Sequence, residues 1–443
     1  MPQARDRGYR LASSGNQTRV GLMGLGVIGS AVARVLLEKA DTFSKQRDGR
    51  VVLARVLERD LDKADALSLD RALVATDGEE FFANLDAEIV IELLGSEKPA
   101  YDYIKWALEA GRYVVTANKE VMAKHGPELL ALAQDKGVDI LYEASVGGGI
   151  PIIAPLKRDL LANEITSISA IINGTTNYIL SSMSKEGCDF GEALQRAQSL
   201  GYAEADPTND VEGIDAAYKL SILSSLAFRT TVTPDQVYRQ GVAGLSAKDF
   251  RYAREMGYAI KLLAVAKRED ATIQVRVHPV LLAETEPLAM VDGVLNAIQV
   301  EGDLVKRVMF QGPGAGPQPT SSAVVADVLN AARTLTHGGA EPIRSSAGRV
   351  VSLRPIEELR TRYYIRMTVA DRPGVLAQIA SILGKNEISI ATVIQKEADE
   401  AKQTAEIVIT THEAQEKAVQ EALRKVAALD DVTQIGSFIR IEE

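Results

Sequence analysis

The chain is poor in the residues that staple a fold or ligate a transition metal. Its 443 residues include one cysteine, Cys188, so an internal disulfide framework is excluded and a reducing, cytoplasmic setting is implied. Cys188 sits in a loop-like run over 184–189 and reads as a buried or incidental thiol, not a nucleophile. The four histidines, His125, His278, His337 and His412, share no ligand spacing, which argues against a transition-metal centre. No apolar run approaches the ~20 residues of a membrane span. Residues 1–17 are polar and basic and lack the apolar centre of a signal peptide, so they read as a disordered leader. Basic residues are also in deficit. Fifty lysines and arginines against 60 acidic side chains leave a net charge of −10, which argues against nucleic acid or an anionic membrane as the main partner.

What is present is ordinary globular material. Hydrophobic residues make up 46% and charged residues 25%, enough for about two to three domains. Strands are expected over 19–23, 51–57, 88–94, 112–116 and 140–143, with helices over 30–39, 100–110 and 126–136 between them. That alternation implies an α/β fold, a Rossmann-type doubly wound parallel sheet spanning 18–150. Over 151–317 the pattern changes to longer helices (191–199, 213–227, 249–267) and strands at 165–172, 273–282, 296–302 and 305–311. This reads as a second α/β domain with a mixed sheet. A helix over 318–336 is expected to return to the first domain, and a polar linker covers 337–360. Residues 361–443 then read strand, helix, strand, strand, helix, strand, the ferredoxin-like plan.

Two stretches carry chemistry. Gly24, Gly26 and Gly29 fall between the first strand and the first helix. There the first glycine permits a tight turn, the second lets backbone approach a pyrophosphate, and the third lets helix and strand pack closely. The amides of Val27 and Ile28 would face the phosphates at the helix N-terminus. Cofactor choice should be read at the end of the second strand. Glu58 there suits a ribose hydroxyl and Arg59 a 2′-phosphate, so both NAD(H) and NADP(H) stay open. The second stretch is acidic. Glu204, Asp206, Asp210, Glu212 and Asp215 lie close together, and Lys219 follows. Asp215 and Lys219 are spaced i,i+4, so on a helix they share a face. A lysine held against carboxylates suits a site that binds an ammonium-bearing substrate and moves a proton.

With these motifs stand Thr116-Ala117-Asn118-Lys119, the run 143–151 (Glu-Ala-Ser-Val-Gly-Gly-Gly-Ile-Pro), and Asn173-Gly174-Thr175-Thr176-Asn177-Tyr178. Together, over about 19–335, they closely resemble homoserine dehydrogenase. Residues 364–443, with Asp371-Arg372-Pro373-Gly374, resemble an ACT domain, a small amino-acid-binding regulatory module. The resemblance implies interconversion of aspartate β-semialdehyde and homoserine with a nicotinamide cofactor, on the route to threonine, methionine and isoleucine. It implies Lys219 as proton donor and Lys119 beside nicotinamide and substrate. Glu204 and Asp215 match substrate-binding carboxylates, Asp210 a supporting acid, and Thr175 and Tyr202 pocket-lining positions. Gly201 and Gly316 match positions near the cofactor. Glu143, Val146, Gly148 and Ile150 match a monovalent-cation loop for Na⁺ or K⁺. NADP(H) is expected to be preferred, with Arg59 near its 2′-phosphate. The ACT-like module implies a homo-oligomer, dimer or tetramer, inhibited by threonine. Two lysines in one site would also disfavour each other's charge.

Overall fold

The computed structural model describes residues 17–47, 50–337, 351–399 and 401–442. These fall into two compact units. One runs from Gln17 to Gly149 and takes in 316–337; the other holds 150–315 and the described residues from 351 onward. The leader expected over 1–17 lies outside the described residues except for Gln17, which opens the first strand.

The first unit carries strands β1 (Gln17–Met23), β2 (Arg50–Leu57), β3 (Val74–Ala75), β4 (Ile89–Glu92), β5 (Tyr113–Thr116) and β6 (Ile140–Leu141). They pair in parallel in the order β3-β2-β1-β4-β5-β6, the doubly wound Rossmann arrangement. Helices α1 (Val27–Glu38), α2 (Ala40–Arg47), α3 (Leu61–Ala66), α4 (Gly78–Ala83), α5 (Ala100–Glu109) and α6 (Lys119–Lys136) connect them. A sheet covered on both faces needs strands that are apolar on both faces. Val20, Leu22, Ile89, Ile91 and Val115 meet that need and are fully buried, each contributing about 1.5–3 kcal/mol relative to exposure.

Two expected elements change here. The helix expected over 126–136 starts at Lys119, capped by Asn118, and carries Pro127 inside it. Proline removes one backbone donor but does not stop a helix whose remaining turns are packed. The strand expected over 140–143 ends at Leu141, and Glu143 opens a 3₁₀ turn, Glu143–Ser145.

The second unit holds β7 (Ile165–Ile171), β8 (Tyr238–Arg239), β9 (Tyr258–Glu269), β10 (Thr272–Ala283), β11 (Leu295–Gly302) and β12 (Lys306–Pro313). Its helices are α7 (Gly174–Glu186), α8 (Phe190–Ser199), α9 (Thr208–Val211), α10 (Ile214–Phe228) and α11 (Ala247–Glu255). The main strands run β12-β11-β7-β9-β10 with antiparallel neighbours, and β8 adds in parallel to β10, so the sheet is mixed. The single helix expected over 249–267 is wrong. Helix α11 stops at Glu255, Gly257 turns at φ +78°, and the rest is strand β9. Residues 260–266 are all buried and, apart from Lys261, all apolar, and such a run fits a two-sided core strand as well as a buried helix. After this sheet, α12 (Pro317–His337) rejoins the first unit, where Val324 and Val328 share a core cluster with Val32 and Leu36 of α1.

Of the expected linker, 338–350 lie outside the described residues. Its end is not free. Strand β13 (Ser352–Leu353) pairs in parallel with β10. The last segment forms β14 (Arg360–Ala370), α13 (Val375–Lys385), β15 (Ile390–Asp399), β16 (Thr404–Thr411), β17 (Ala414–Gln415), α14 (Glu416–Ala427) and β18 (Val432–Glu442). Its sheet order β18-β14-β16-β15 is the ferredoxin-like arrangement of an ACT domain. The end of β18 pairs in parallel with β10, Val280 opposite Arg440 and Leu282 opposite Glu442, so one sheet runs through both parts of this unit. Among the described residues no helix is long and apolar enough to cross a membrane.

Candidate active site

In the first unit the glycine turn is built around backbone. Gly24 leaves β1 at φ +93°, and a side chain there would meet the Leu93 carbonyl oxygen at 2.8 Å. A side chain on Gly29 would collide with the carbonyl oxygen of Gly24. Gly26 is the N-cap of α1, without a side-chain cap, and a Cβ on it would meet nothing within 4 Å. The next residue, Val27, is 73% exposed although apolar, and Ile28 is half-buried. An uncapped helix start beside open space fits a pyrophosphate, whose oxygens take the orphan amides. Gly316, expected near the same ligand, sits at φ +107° just before α12.

Glu58 and Arg59 follow β2. The Glu58 carboxylate accepts the Leu25 amide at 2.7 Å and the Asp60 amide at 3.0 Å. Burial pushes this carboxyl up, but those amides and nearby Lys63 outweigh it and hold it below the usual range. Glu58 therefore braces the glycine turn. Arg59 is exposed, and its guanidinium has no hydrogen bond or ion pair among the described residues. Lys119 is the first residue of α6. The loop before it is fixed by a buried chain of bonds. Thr116 Oγ1 donates to Glu92 at 2.6 Å and accepts the Asn118 amide at 2.9 Å, and Asn118 donates to the Ser96 carbonyl at 2.8 Å. Burial pushes the Glu92 carboxyl up.

In the second unit the acidic stretch and the Asn173–Tyr178 motif converge. Asp215 lies in the first turn of α10 and Lys219 one turn on, both buried. The i,i+4 spacing becomes an ion pair, with Lys219 Nζ donating to Asp215 Oδ2 at 2.6 Å. Lys219 also donates to the Ile172 carbonyl at 2.8 Å. Asn173 donates to Asp210 at 2.7 Å and to Asp215 at 2.9 Å. Thr175 Oγ1 donates to the Tyr202 carbonyl at 2.7 Å, and the Tyr202 ring lies 4.9 Å from that of Tyr178. Gly201, at φ +75°, turns the chain before Tyr202. Glu204 is exposed, and its carboxylate has no partner among the described residues. Of the two carboxylates expected to bind substrate, one is thus engaged with Lys219 and the other open. Asn173 and the Ile172 carbonyl were not singled out as functional. An asparagine immediately before a helix signals an N-cap, but its second role needs the fold.

Glu143, Val146 and Gly148 are buried in a loop where Gly147 and Gly148 take φ +72° and +54°. Its end is held by the Glu143 amide donating to Asp327 at 2.9 Å. The unit boundary falls between Gly149 and Ile150. Oxygen donors from backbone and one carboxylate suit a hard alkali cation. Among the described residues no group of three or more His, Cys, Asp or Glu could hold a metal ion. Cys188 is buried between α7 and α8, and burial, then the charge of Glu192, pushes its thiol up, away from the nucleophilic thiolate. His278 is fully buried, and burial with Arg440 and Arg276 beside it pushes its imidazole well below the usual value.

Known proteins resemble this chain over nearly its whole length. A family model described as "Homoserine dehydrogenase" matches residues 151–329, one described as "Homoserine dehydrogenase, NAD binding domain" matches 24–143, and one described as "ACT domain" matches 363–431. A homoserine dehydrogenase of Neisseria gonorrhoeae is 41% identical over 431 residues, 96% of this chain and 98% of the relative. One from Synechocystis is 42% identical, over 96% of this chain and 99% of its own. The crystal structure of a homoserine dehydrogenase from Thiobacillus denitrificans superposes with a TM-score of 0.90 at 42% identity, covering 96% of this chain and 98% of that one. A hyperthermophilic archaeal homoserine dehydrogenase in complex with NADPH superposes with a TM-score of 0.61 at 28% identity, over 71% of this chain and 97% of that one.

Proposed function

The chain belongs to the homoserine dehydrogenase family, and from that premise we propose that Lys219 is the proton donor of an NADPH-preferring enzyme that interconverts L-aspartate 4-semialdehyde and L-homoserine. The observation that carries this reading is the buried Lys219–Asp215 pair at 2.6 Å. When bound, the nicotinamide supplies the hydride. The chain's own residues handle charge and proton. As the aldehyde becomes an alkoxide, negative charge develops on its oxygen, and an ammonium placed there stabilises that charge and gives up the proton. Asp215 and the Ile172 carbonyl fix where the ammonium sits. Glu204, exposed and with its carboxylate unpartnered among the described residues, receives the substrate ammonium together with Asp215, and Asp210 is the supporting acid. Thr175 and Tyr202 take the pocket-lining roles that the resemblance implies, and Lys119, the first residue of α6, takes the role beside nicotinamide.

Arg59 is the 2′-phosphate reader because its guanidinium is uncommitted among the described residues, whereas the Glu58 carboxylate already braces the turn. A sodium or potassium ion is held by Glu143, Val146, Gly148 and Ile150, the set that the family resemblance implies. Threonine is the effector of the ACT domain. Gly374, at φ +97°, starts α13 without a side-chain cap, which leaves helix amides for an amino-acid carboxylate. The products feed the synthesis of threonine, methionine and isoleucine.

The test of substrate class compares homoserine with 4-hydroxybutanoate, which lacks the ammonium. Losing a charge-assisted contact costs about 1.5–3 kcal/mol, so kcat/KM for the hydroxy acid is expected to be lower by about 10- to 100-fold. Equal turnover of the two would remove ammonium recognition, and a dehydrogenase of small hydroxy acids would replace the present reading.

A further inference from the structure

Asn173 stands between β7 and α7 and is buried. Its side-chain oxygen accepts the Thr176 amide at 2.9 Å and so caps α7. Its side-chain nitrogen donates to Asp210 Oδ1 at 2.7 Å and to Asp215 Oδ2 at 2.9 Å. A carboxamide nitrogen carries two N–H donors, and each carboxylate takes one. The same Asp215 oxygen accepts Lys219 at 2.6 Å, and Ile172, the residue before Asn173, offers its carbonyl to Lys219 at 2.8 Å. One strand end therefore holds the lysine through backbone and the lysine's partner through a side chain.

The chemistry of the position selects a neutral donor. Carboxylates from α9 and α10 converge on it. A third acid here would repel both. A lysine would compete with Lys219 for Asp215. A serine could cap the helix, but its single hydroxyl proton cannot serve two carboxylates. We propose, resting on the reading of Lys219 as proton donor, that Asn173 is a positioning residue whose amide bridges Asp210 and Asp215 and so sets the Asp215–Lys219 geometry for proton transfer.

The test uses the intact chain and the variants Asn173→Ser and Asn173→Asp. Both replacements are good N-caps, so a role limited to capping predicts near-normal enzymes. The bridge predicts a fall in kcat of about 10- to 100-fold for Asn173→Ser, the size of a lost charge-assisted hydrogen bond, and a larger one for Asn173→Asp. It also predicts an unchanged NADPH dissociation constant, which verifies the fold, and a larger solvent deuterium effect on kcat as proton transfer becomes limiting. If both variants keep wild-type kcat and solvent isotope effect, Asn173 is a helix cap and the bridge is overturned. If the wild-type chain itself does not oxidise homoserine, the functional reading fails instead, and the two failures are separate.

Discussion

Glu58 and Arg59 divide the cofactor question between them. Glu58 is spent on the Leu25 and Asp60 amides, whereas the Arg59 guanidinium is free of partners among the described residues. Arg59→Ala is therefore expected to lower kcat/KM for NADPH by about 10-fold or more, a lost charge-assisted contact to phosphate, and to leave NADH nearly untouched. Glu58→Ala is expected to weaken both cofactors alike, because it frees the turn they share. Steady-state kinetics with both cofactors checks this, and an equal loss in Arg59→Ala would remove Arg59 from the role. The legible residues were those whose meaning lies in local spacing. The Asp215–Lys219 pair follows from helical period alone, and the glycines follow from their place between strand and helix. Asn173 was not legible in its second role, since its two acceptors lie 37 and 42 residues away. Nor was the turn of Glu58 towards Leu25, a contact between two loop ends.

Elements carry the next set of consequences. Gly26 and Gly29 differ physically although one motif contains both. A methyl on Gly26 meets nothing, whereas one on Gly29 collides with the Gly24 carbonyl. Gly26→Ala is expected to keep the wild-type melting temperature and lose cofactor affinity, because only the bound pyrophosphate needs that space. Gly29→Ala is expected to lose both. Calorimetric titration beside a thermal melt separates the two. Helix α11 depends on a different device. Arg366 of β14 grips Asp249 at 2.7 and 3.0 Å, with Ser437 donating at 2.7 Å, all buried. Arg366 also reaches buried Glu406 at 3.2 Å, and removing one partner of a buried pair costs about 3–5 kcal/mol, so Arg366→Ala should lower the denaturation midpoint sharply. The pH dependence has a definite sign. Burial raises the Asp249 carboxyl, but Arg366, the Ser246 amide and Ser437 outweigh it, and the folded-state pKa lies below the usual value. Its stabilisation is full above the unfolded value of about 3.9 and is lost as pH falls through the folded value. Acid unfolding of the wild type should therefore steepen below about pH 4, and Asp249→Asn should flatten that dependence. The α11–β9 junction was misread in the sequence because apolar runs buried on both sides carry no period. The parallel sheet was legible because strands, turns and amphipathic helices alternate there.

On the scale of the whole chain, the ACT domain is built into the second unit and not hung from a linker. β18 extends the sheet at β10, and Arg276 reaches Glu442 at 2.5 Å. Arg440, fully buried, pairs with Glu416 at 2.6 Å and also reaches Gln240 and Tyr238. No local pattern announces that junction, since it joins residues far apart in the chain. Deleting residues after Leu359 should destabilise the remainder, because buried Asp249 would lose Arg366 and Ser437, and buried Arg276 would lose Glu442. The effector is better tested on the intact chain. Threonine must bind the less active state more tightly to inhibit, so homoserine oxidation is expected to fall with added threonine, and an indifferent enzyme would defeat that assignment. The central claim, a homoserine dehydrogenase whose proton donor is Lys219, rests most directly on homoserine-dependent formation of reduced nicotinamide by the wild-type chain and by Lys219→Ala. The account predicts turnover by the wild type and a kcat lower by ~10²–10⁴-fold in the variant, with the NADP⁺ dissociation constant unchanged. No turnover of homoserine by the wild type, or a variant as fast as the wild type, would contradict it.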